Sequence, residues 1–286
     1  MDRFFLTDAG LETDILFNKG IDLPLFSSVT LFTSDERLDV LKAYYRDFLE
    51  LARRTGAGLV LESATWRASP DWAGPLELSV AELDALNRAA IDLLRGLRAE
   101  YADVPTVISG CIGPRGDGYD PGRIMSVDEA QAYHAHQAGV LAAAGVEMLA
   151  AITMTNIPEA VGIANAAKAL ALPVAISFTV ETDGRLPTGD ALGEAIGAVD
   201  AATGVYPAYY MINCAHPTHF DGVLDADAPW TARIGGVRAN ASCLSHAELD
   251  AMTELDVGDP ADLAARHRAL IERFPPDPRR RRLLRD

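Results

Sequence analysis

The chain of 286 residues carries 41 acidic against 25 Lys+Arg side chains, a formal net charge of -16, and 49% of its residues are hydrophobic. This balance excludes a basic nucleic-acid footprint and a polybasic membrane anchor, and it leaves apolar material for a large core. Three widely separated cysteines make no disulfide framework and point to a reducing cytoplasm.

Short β-rich runs alternate with longer helical patterns along the whole chain. The predicted strands are RFFLTDAG, GLVLESATW, TVISGCIG, EMLAAITMT, PVAISFTV, YYMINCA and ARIGGVRAN. Several are continuous apolar runs, the pattern of strands buried on both faces. Between them lie amphipathic stretches. SDERLDVLKAYYRDFLELARRTG opens on a Ser cap with Glu36 following and stops at Gly56. SVAELDALNRAAIDLLRGLRAEYA and SVDEAQAYHAHQAGVLAAAG open in the same way, and NIPEAVGIANAAKALA and LGEAIGAVDAATG follow. After the seventh strand, SHAELDAMTELD and DPADLAARHRALIERF both read as helices.

The repeated β-then-α order predicts a parallel sheet flanked by helices, an α/β fold of the TIM (β/α)8 barrel type. Seven strands are found where eight are expected, so the last β/α unit is predicted to be missing. Residues 1–274 are read as one barrel domain and 275–286 as a basic tail without strand character. A barrel open in this way leaves its first and last strands as edges, which favours a homodimer. MDRFFLTDAG lacks the apolar core of a signal peptide, and no segment reaches the roughly 18 apolar residues of a membrane span.

In such barrels chemistry sits at the C-terminal ends of the strands. The polar residues there are Asp8, Glu12 and Thr13 after strand one, and Glu62, Ser63 and Thr65 after strand two. GCIGPRGDGY follows strand three, Asn213 and Cys214 follow strand six, and Asn240 follows strand seven. GCIGPRGDG matches neither GxGxxG nor a P-loop, and reads as a tight loop. His134 and His136 stand two apart in a helical pattern and face different sides, so they form no helical metal pair. His216 and His219 could be ligands but are read first as loop or helix-start residues, and Cys111 and Cys243 are read as small packing residues. MINCAHPTHF, with a cysteine just past a strand, is the one stretch that suggests a zinc ligand, and zinc needs three or four.

DAGLETDI, ESATWRAS, GCIGPRGDGY, SFTVETDG and INCAHP occur in this order. Together they resemble the homocysteine S-methyltransferase family, zinc-dependent barrels that methylate a thiol. The resemblance runs from Asp8 to about Phe274. It implies a zinc cofactor and Cys214 as metal ligand and catalytic residue. It further implies Asp8, Thr13, Glu62 and Thr65 as substrate contacts, Asn213 shaping the site, and Gly10 and Gly113 permitting close approach of substrate. The implied partners are a small thiol, homocysteine or similar, and S-methylmethionine or S-adenosylmethionine as methyl donor, a cytoplasmic chemistry of methionine biosynthesis.

Departures from the family pattern are also legible. Ile152 stands where a glutamate helps hold the substrate's amino group, and Ala64 stands where Asn or Thr is common. The family's Gly-Gly-Cys-Cys-Gly turn, which supplies two more zinc ligands, is absent, so impaired activity is expected. Arg281–Asp286, back-translated with GC-rich codons and shifted by one base, reads Gly-Gly-Cys-Cys-Gly. The tail is therefore expected to be a frameshifted reading of that turn. Two rival readings stay open: a non-catalytic barrel, and a metal-free lyase or hydrolase using Asp8 and Glu62 as acid and base.

Overall fold

The computed structural model describes residues 4–275. Seven strands form one sheet in the order β1-β2-β3-β4-β5-β6-β7. They are β1 (Phe5–Thr7), β2 (Gly58–Glu62), β3 (Thr106–Ile112), β4 (Met148–Met154), β5 (Val174–Phe178), β6 (Tyr209–Asn213) and β7 (Ile234–Arg238). Pairing is parallel for β1 with β2, β2 with β3, β5 with β6, and β6 with β7. Sequential order in a parallel sheet requires a crossover after each strand, and helices supply most of them. This is the α/β barrel-type topology with seven strands among the described residues. The reading of the basic tail as a frameshifted turn lies outside the described residues.

The helices are α1 (Asp35–Thr55), α2 (Val80–Glu100), α3 (Val127–Ala144), α4 (Ile157–Ala169), α5 (Leu192–Thr203), α6 (Pro217–Phe220), α7 (His246–Asp250) and α8 (Pro260–Arg273). Their ends follow the sequence closely. Ser34 accepts from the Arg37 amide, and Gly56 closes α1 at φ 69°. Ser79 and Glu82 form a reciprocal capping box on α2, and Ser245 and Glu248 do the same on α7. Each such cap satisfies amides that the first turn leaves without partners.

The described residues fall into two compact units. The first comprises residues 4–115, 132–150 and 166–173, and the second residues 116–131, 151–165 and 174–275. In the first, every residue of β2 is buried, and Leu59 and Leu61 are each 1% exposed. In the second, β5 is likewise buried throughout. Burial on both faces is why these strands read as unbroken apolar runs.

One predicted helix is cut short. SHAELDAMTELD is helical only over His246–Asp250, and His246 is its one buried residue. Met252, Thr253 and Glu254 are exposed, so no continuing apolar face rewards a further turn. Among the described residues, no helix is long and apolar enough to cross a membrane.

Candidate active site

The sequence-predicted site residues divide between the two units. Asp8, Gly10, Thr13, Glu62, Thr65 and Gly113 belong to the first, Asn213 and Cys214 to the second.

In the first unit the ends of β1, β2 and β3 carry a buried polar cluster. Asp8 and Glu62 are buried, and the Tyr44 hydroxyl donates to Asp8 Oδ2 at 3.4 Å. Tyr45, from the same helix α1, donates to the Glu62 carbonyl oxygen at 2.6 Å. Burial, and then the negative charge of Asp8 and Glu12, push the Tyr45 phenol well above its usual range. Glu12 accepts from Ser28 Oγ at 2.7 Å. Acidic groups thus gather around one phenol, an arrangement suited to a cationic group on a ligand.

Thr65 sits differently from a substrate contact. Its hydroxyl is fully buried, 2.7 Å from Ser63 Oγ, and donates to the Cys111 carbonyl at 2.7 Å. Cys111 N donates back to Ser63 Oγ at 2.9 Å. The three groups lace β2 to β3 beyond the last ladder bond. Thr65→Val is expected to cost about 1–3 kcal/mol in chemical denaturation, because it leaves buried acceptors unmet. Gly113 has an equally structural reason to be glycine. A Cβ there would collide with the Trp66 carbonyl oxygen and ring. Gly10 is less constrained, since a Cβ would stand at ordinary contact, 3.4 Å from the Thr13 side chain.

In the second unit the end of β6 is built around Asn213. Its Oδ1 accepts from the Thr153 amide at 3.0 Å and from Ser177 Oγ at 2.6 Å. Its Nδ2 donates to Thr153 Oγ1 at 2.8 Å and to the Cys214 sulfur at 3.1 Å. The backbone amide of Thr153 can only donate, which fixes the orientation of the Asn213 side chain. Asn213 therefore joins β4, β5 and β6 at one level and presents a donor to sulfur.

Cys214 is half-buried, with φ at 55°. Thr153, whose hydroxyl lies 4.0 Å from the same sulfur, has φ at 66°. A left-handed backbone is costly for L residues and uncommon for a β-branched one. Two such residues side by side, both tied to Asn213, mark an over-determined spot of the kind found at working sites.

Two groups that the sequence reading did not single out complete this cluster. Tyr119, the last residue of GCIGPRGDGY, stacks on His246 with ring centroids 4.0 Å apart and planes at 17°. The charge of the Cys214 sulfur, followed by burial, holds the Tyr119 phenol well above its usual range. His246 Nε2 lies 2.8 Å from the Cys214 carbonyl oxygen, and Nδ1 lies 3.1 Å from Glu181 Oε1. The position of Tyr119 at the end of a quoted motif was the available signal for it. His246 offered none, because a histidine at a helix start is ordinary.

The remaining candidates behave mostly as read. His216 caps α6, with Nδ1 near the Thr218 hydroxyl at 2.7 Å, and His219 Nε2 lies 2.9 Å from the Cys243 carbonyl. His136 pairs with Asp84 at 2.9 Å. Cys111 is a buried packing residue, whereas Cys243, expected to be one, is exposed. Among the described residues, no group of three or more His, Cys, Asp or Glu side chains could hold a metal ion. Cys214 has Asn and Thr for neighbours, donors to a sulfur and poor zinc ligands.

The chain is similar to known proteins over most of its length. The model of the family described as homocysteine S-methyltransferase matches residues 5–270. Homocysteine S-methyltransferase 1 of Arabidopsis thaliana is 24% identical over 257 residues, covering 82% of this chain and 76% of the relative. Selenocysteine Se-methyltransferase of Brassica oleracea var. italica is 24% identical over 246 residues, covering 77% and 68%. Among solved structures, the metallated form of the homocysteine methyltransferase MmuM from Escherichia coli superposes with a TM-score of 0.66 at 21% identity. That superposition covers 94% of this chain and 96% of the other. The last comparison speaks for the barrel fold, and the match of the family model over nearly the whole chain carries the assignment: the chain belongs to the homocysteine S-methyltransferase family.

Proposed function

We propose that this protein transfers a methyl group to the thiol of homocysteine or a similar small thiol, with S-methylmethionine or S-adenosylmethionine as donor. The acceptor sulfur forms a bond to the methyl carbon, the donor's sulfonium S–C bond breaks with its electron pair staying on the donor sulfur, and the thiol proton is released. The observation that carries the reading is the Asn213–Cys214 pair at the end of β6. Cys214 is half-buried, and its sulfur accepts from Asn213 Nδ2 at 3.1 Å with the Thr153 hydroxyl at 4.0 Å. The acidic cluster of buried Asp8 and Glu62 with half-buried Glu12 supports an ammonium-bearing acceptor such as an amino-acid thiol.

Zinc, implied by the family, would lower the thiol pKa and hold the thiolate when bound. The described residues offer Cys214 alone toward it and do not fit a three-ligand site, so no step is derived through the metal. The same reading has the chain impaired in metal-activated transfer. Ile152 is buried on β4 where the family pattern has a glutamate, which favours an acceptor held less tightly by its amino group.

The test is product formation. Incubation with homocysteine and each donor is expected to give methylated thiol above the rate without protein. Cys214→Ser is expected to reduce it at least as much as losing a group that merely supports a ligand, about 10–100-fold. No methylated product from either donor, in protein whose fold is intact by circular dichroism, would leave the non-catalytic barrel as the correct reading.

A further inference from the structure

The segment after β5 folds back on itself as a hairpin. Arg185 and Ala191 form an antiparallel bridge, the Glu181 amide donates to the Arg185 carbonyl at 2.8 Å, and the Leu186 amide donates to the Asp190 carbonyl at 3.0 Å. Between this hairpin, the first turn of α5 and the turn leading to β7 lies a cavity of about 480 Å³, all of it within the second unit. Trp230 forms one wall. Its indole lies so close to Gly193 that a Cβ there would stand 2.6 Å from the ring, so only glycine lets the ring sit on the helix. Three charged side chains line the same cavity, each steadied by main chain. Asp183 Oδ1 accepts from the Arg185 amide at 3.0 Å, Arg185 Nη1 donates to the Gly189 carbonyl at 2.9 Å, and Glu194 Oε2 accepts from the Ala191 amide at 3.4 Å. Among the described residues none of the three enters an ion pair, and no aromatic ring or cation stacks on Trp230.

We infer that this cavity binds a small zwitterionic amino acid whose side chain carries a sulfonium group. A compact cation is attracted to the face of an indole. Arg185 offers the free part of its guanidinium fork to a carboxylate, and Asp183 and Glu194 offer acceptors to an ammonium. The net charge of -16 draws a cationic ligand toward the protein. Solvated surface charges are common, but here both signs stand unpaired around one aromatic wall. A ligand with one carboxylate and two cationic centres matches them group for group. The choice of a sulfonium amino acid as occupant rests on the transfer proposed above, in which the donor is one. The hairpin is also tied to the sulfur site, because Glu181 Oε1 lies 3.1 Å from His246 Nδ1 and His246 Nε2 lies 2.8 Å from the Cys214 carbonyl oxygen.

The chain has three tryptophans, Trp66, Trp72 and Trp230, so protein labelled with 5-fluorotryptophan gives one fluorine resonance for each. Trp230→Phe identifies the resonance of Trp230 by its loss. S-methylmethionine is titrated through the millimolar range at constant salt, because contacts of this kind are screened. It is expected to move the Trp230 resonance along a saturating curve. Methionine, the same zwitterion without the positive sulfur, is expected to bind about two- to fivefold more weakly, the size of an exposed cation–π contact. Arg185→Gln, a change at an exposed side chain, is expected to weaken S-methylmethionine by about two- to fivefold as well. A Trp230 resonance that stays still overturns the site. So does methionine binding as tightly as S-methylmethionine, or binding unchanged in Arg185→Gln. The titration requires no methyl transfer. A moving Trp230 resonance in a protein that forms no methylated thiol retains the cavity site and overturns only the reaction, and product formed while Trp230 stays still does the reverse.

Discussion

Asp200→Ala is expected to destabilise the protein by about 3 kcal/mol, the lower end of what breaking a buried ion pair costs. Asp200 lies on α5 and takes the Arg233 guanidinium in a fork, Nε at 2.7 Å and Nη2 at 2.9 Å. It also accepts from the Tyr210 hydroxyl at 2.8 Å. Arg233 Nη2 further donates to the Pro207 carbonyl at 2.6 Å. The two charged side chains are only 17% and 16% exposed, so neither is rescued by water when its partner is removed. One carboxylate thus ties a helix to β6 and to the approach to β7. Because β6 ends in Asn213 and Cys214, the loss should reach the site as well as the stability. Urea unfolding measures the first effect. Replacing Asp200 and Arg233 together with leucine and methionine is expected to cost less than Asp200→Ala alone, since no charge is then left buried without a partner. A single substitution that moves the urea midpoint no more than an exposed-site change would refute the brace.

The second large effect is alkaline. Burial, first among the causes, raises the phenols of Tyr45 and Tyr210 well above their usual range. In the unfolded chain both ionise near pH 10, while in the fold both keep their protons. Below about pH 10 the two states bind the same protons at these groups and their contribution is fully present. Above it the unfolded state binds fewer, so stability falls as pH rises, by about 1.4 kcal/mol per unit for each phenol and roughly 2.7 for the two. Unfolding free energies from urea titrations across pH 9 to about 11 should fall at least this steeply. Tyr45→Phe loses one hydrogen bond at neutral pH, the one donated to the Glu62 carbonyl, but is expected to lessen the alkaline slope by about 1.4 kcal/mol per pH unit. A slope identical in Tyr45→Phe and the parent would count against a protonated Tyr45.

Tyr45 belongs to the acidic cluster of the first unit, where a phenol kept neutral spares Asp8 and Glu12 a further negative neighbour. Tyr210 belongs to the strand that delivers the sulfur. In both places a buried phenol keeps its proton and its hydrogen bond.

The sequence by itself determined the seven strands, the caps of the long helices and the candidate at the end of β6. These features are local or periodic. A strand buried on both faces must be apolar throughout, a helix start needs Ser, Asp or Asn to satisfy its free amides, and a polar pair after an apolar run stands at a strand end. The ordered motifs carried the family for the same reason, since each is a short contiguous string. Only the tertiary structure decided what those residues touch. Thr65 reads like a rim contact, yet its hydroxyl is spent bracing β2 to β3 because Cys111 presents a carbonyl there. The helix after β7 ends at Asp250 because nothing covers its next turn. Tyr119 and His246 lie far apart in the chain, and no periodicity or spacing links them. They stack beside Cys214 only because the fold brings the loop of Tyr119 and the start of α7 to the end of β6, and a stacking geometry is a property of that meeting rather than of either residue.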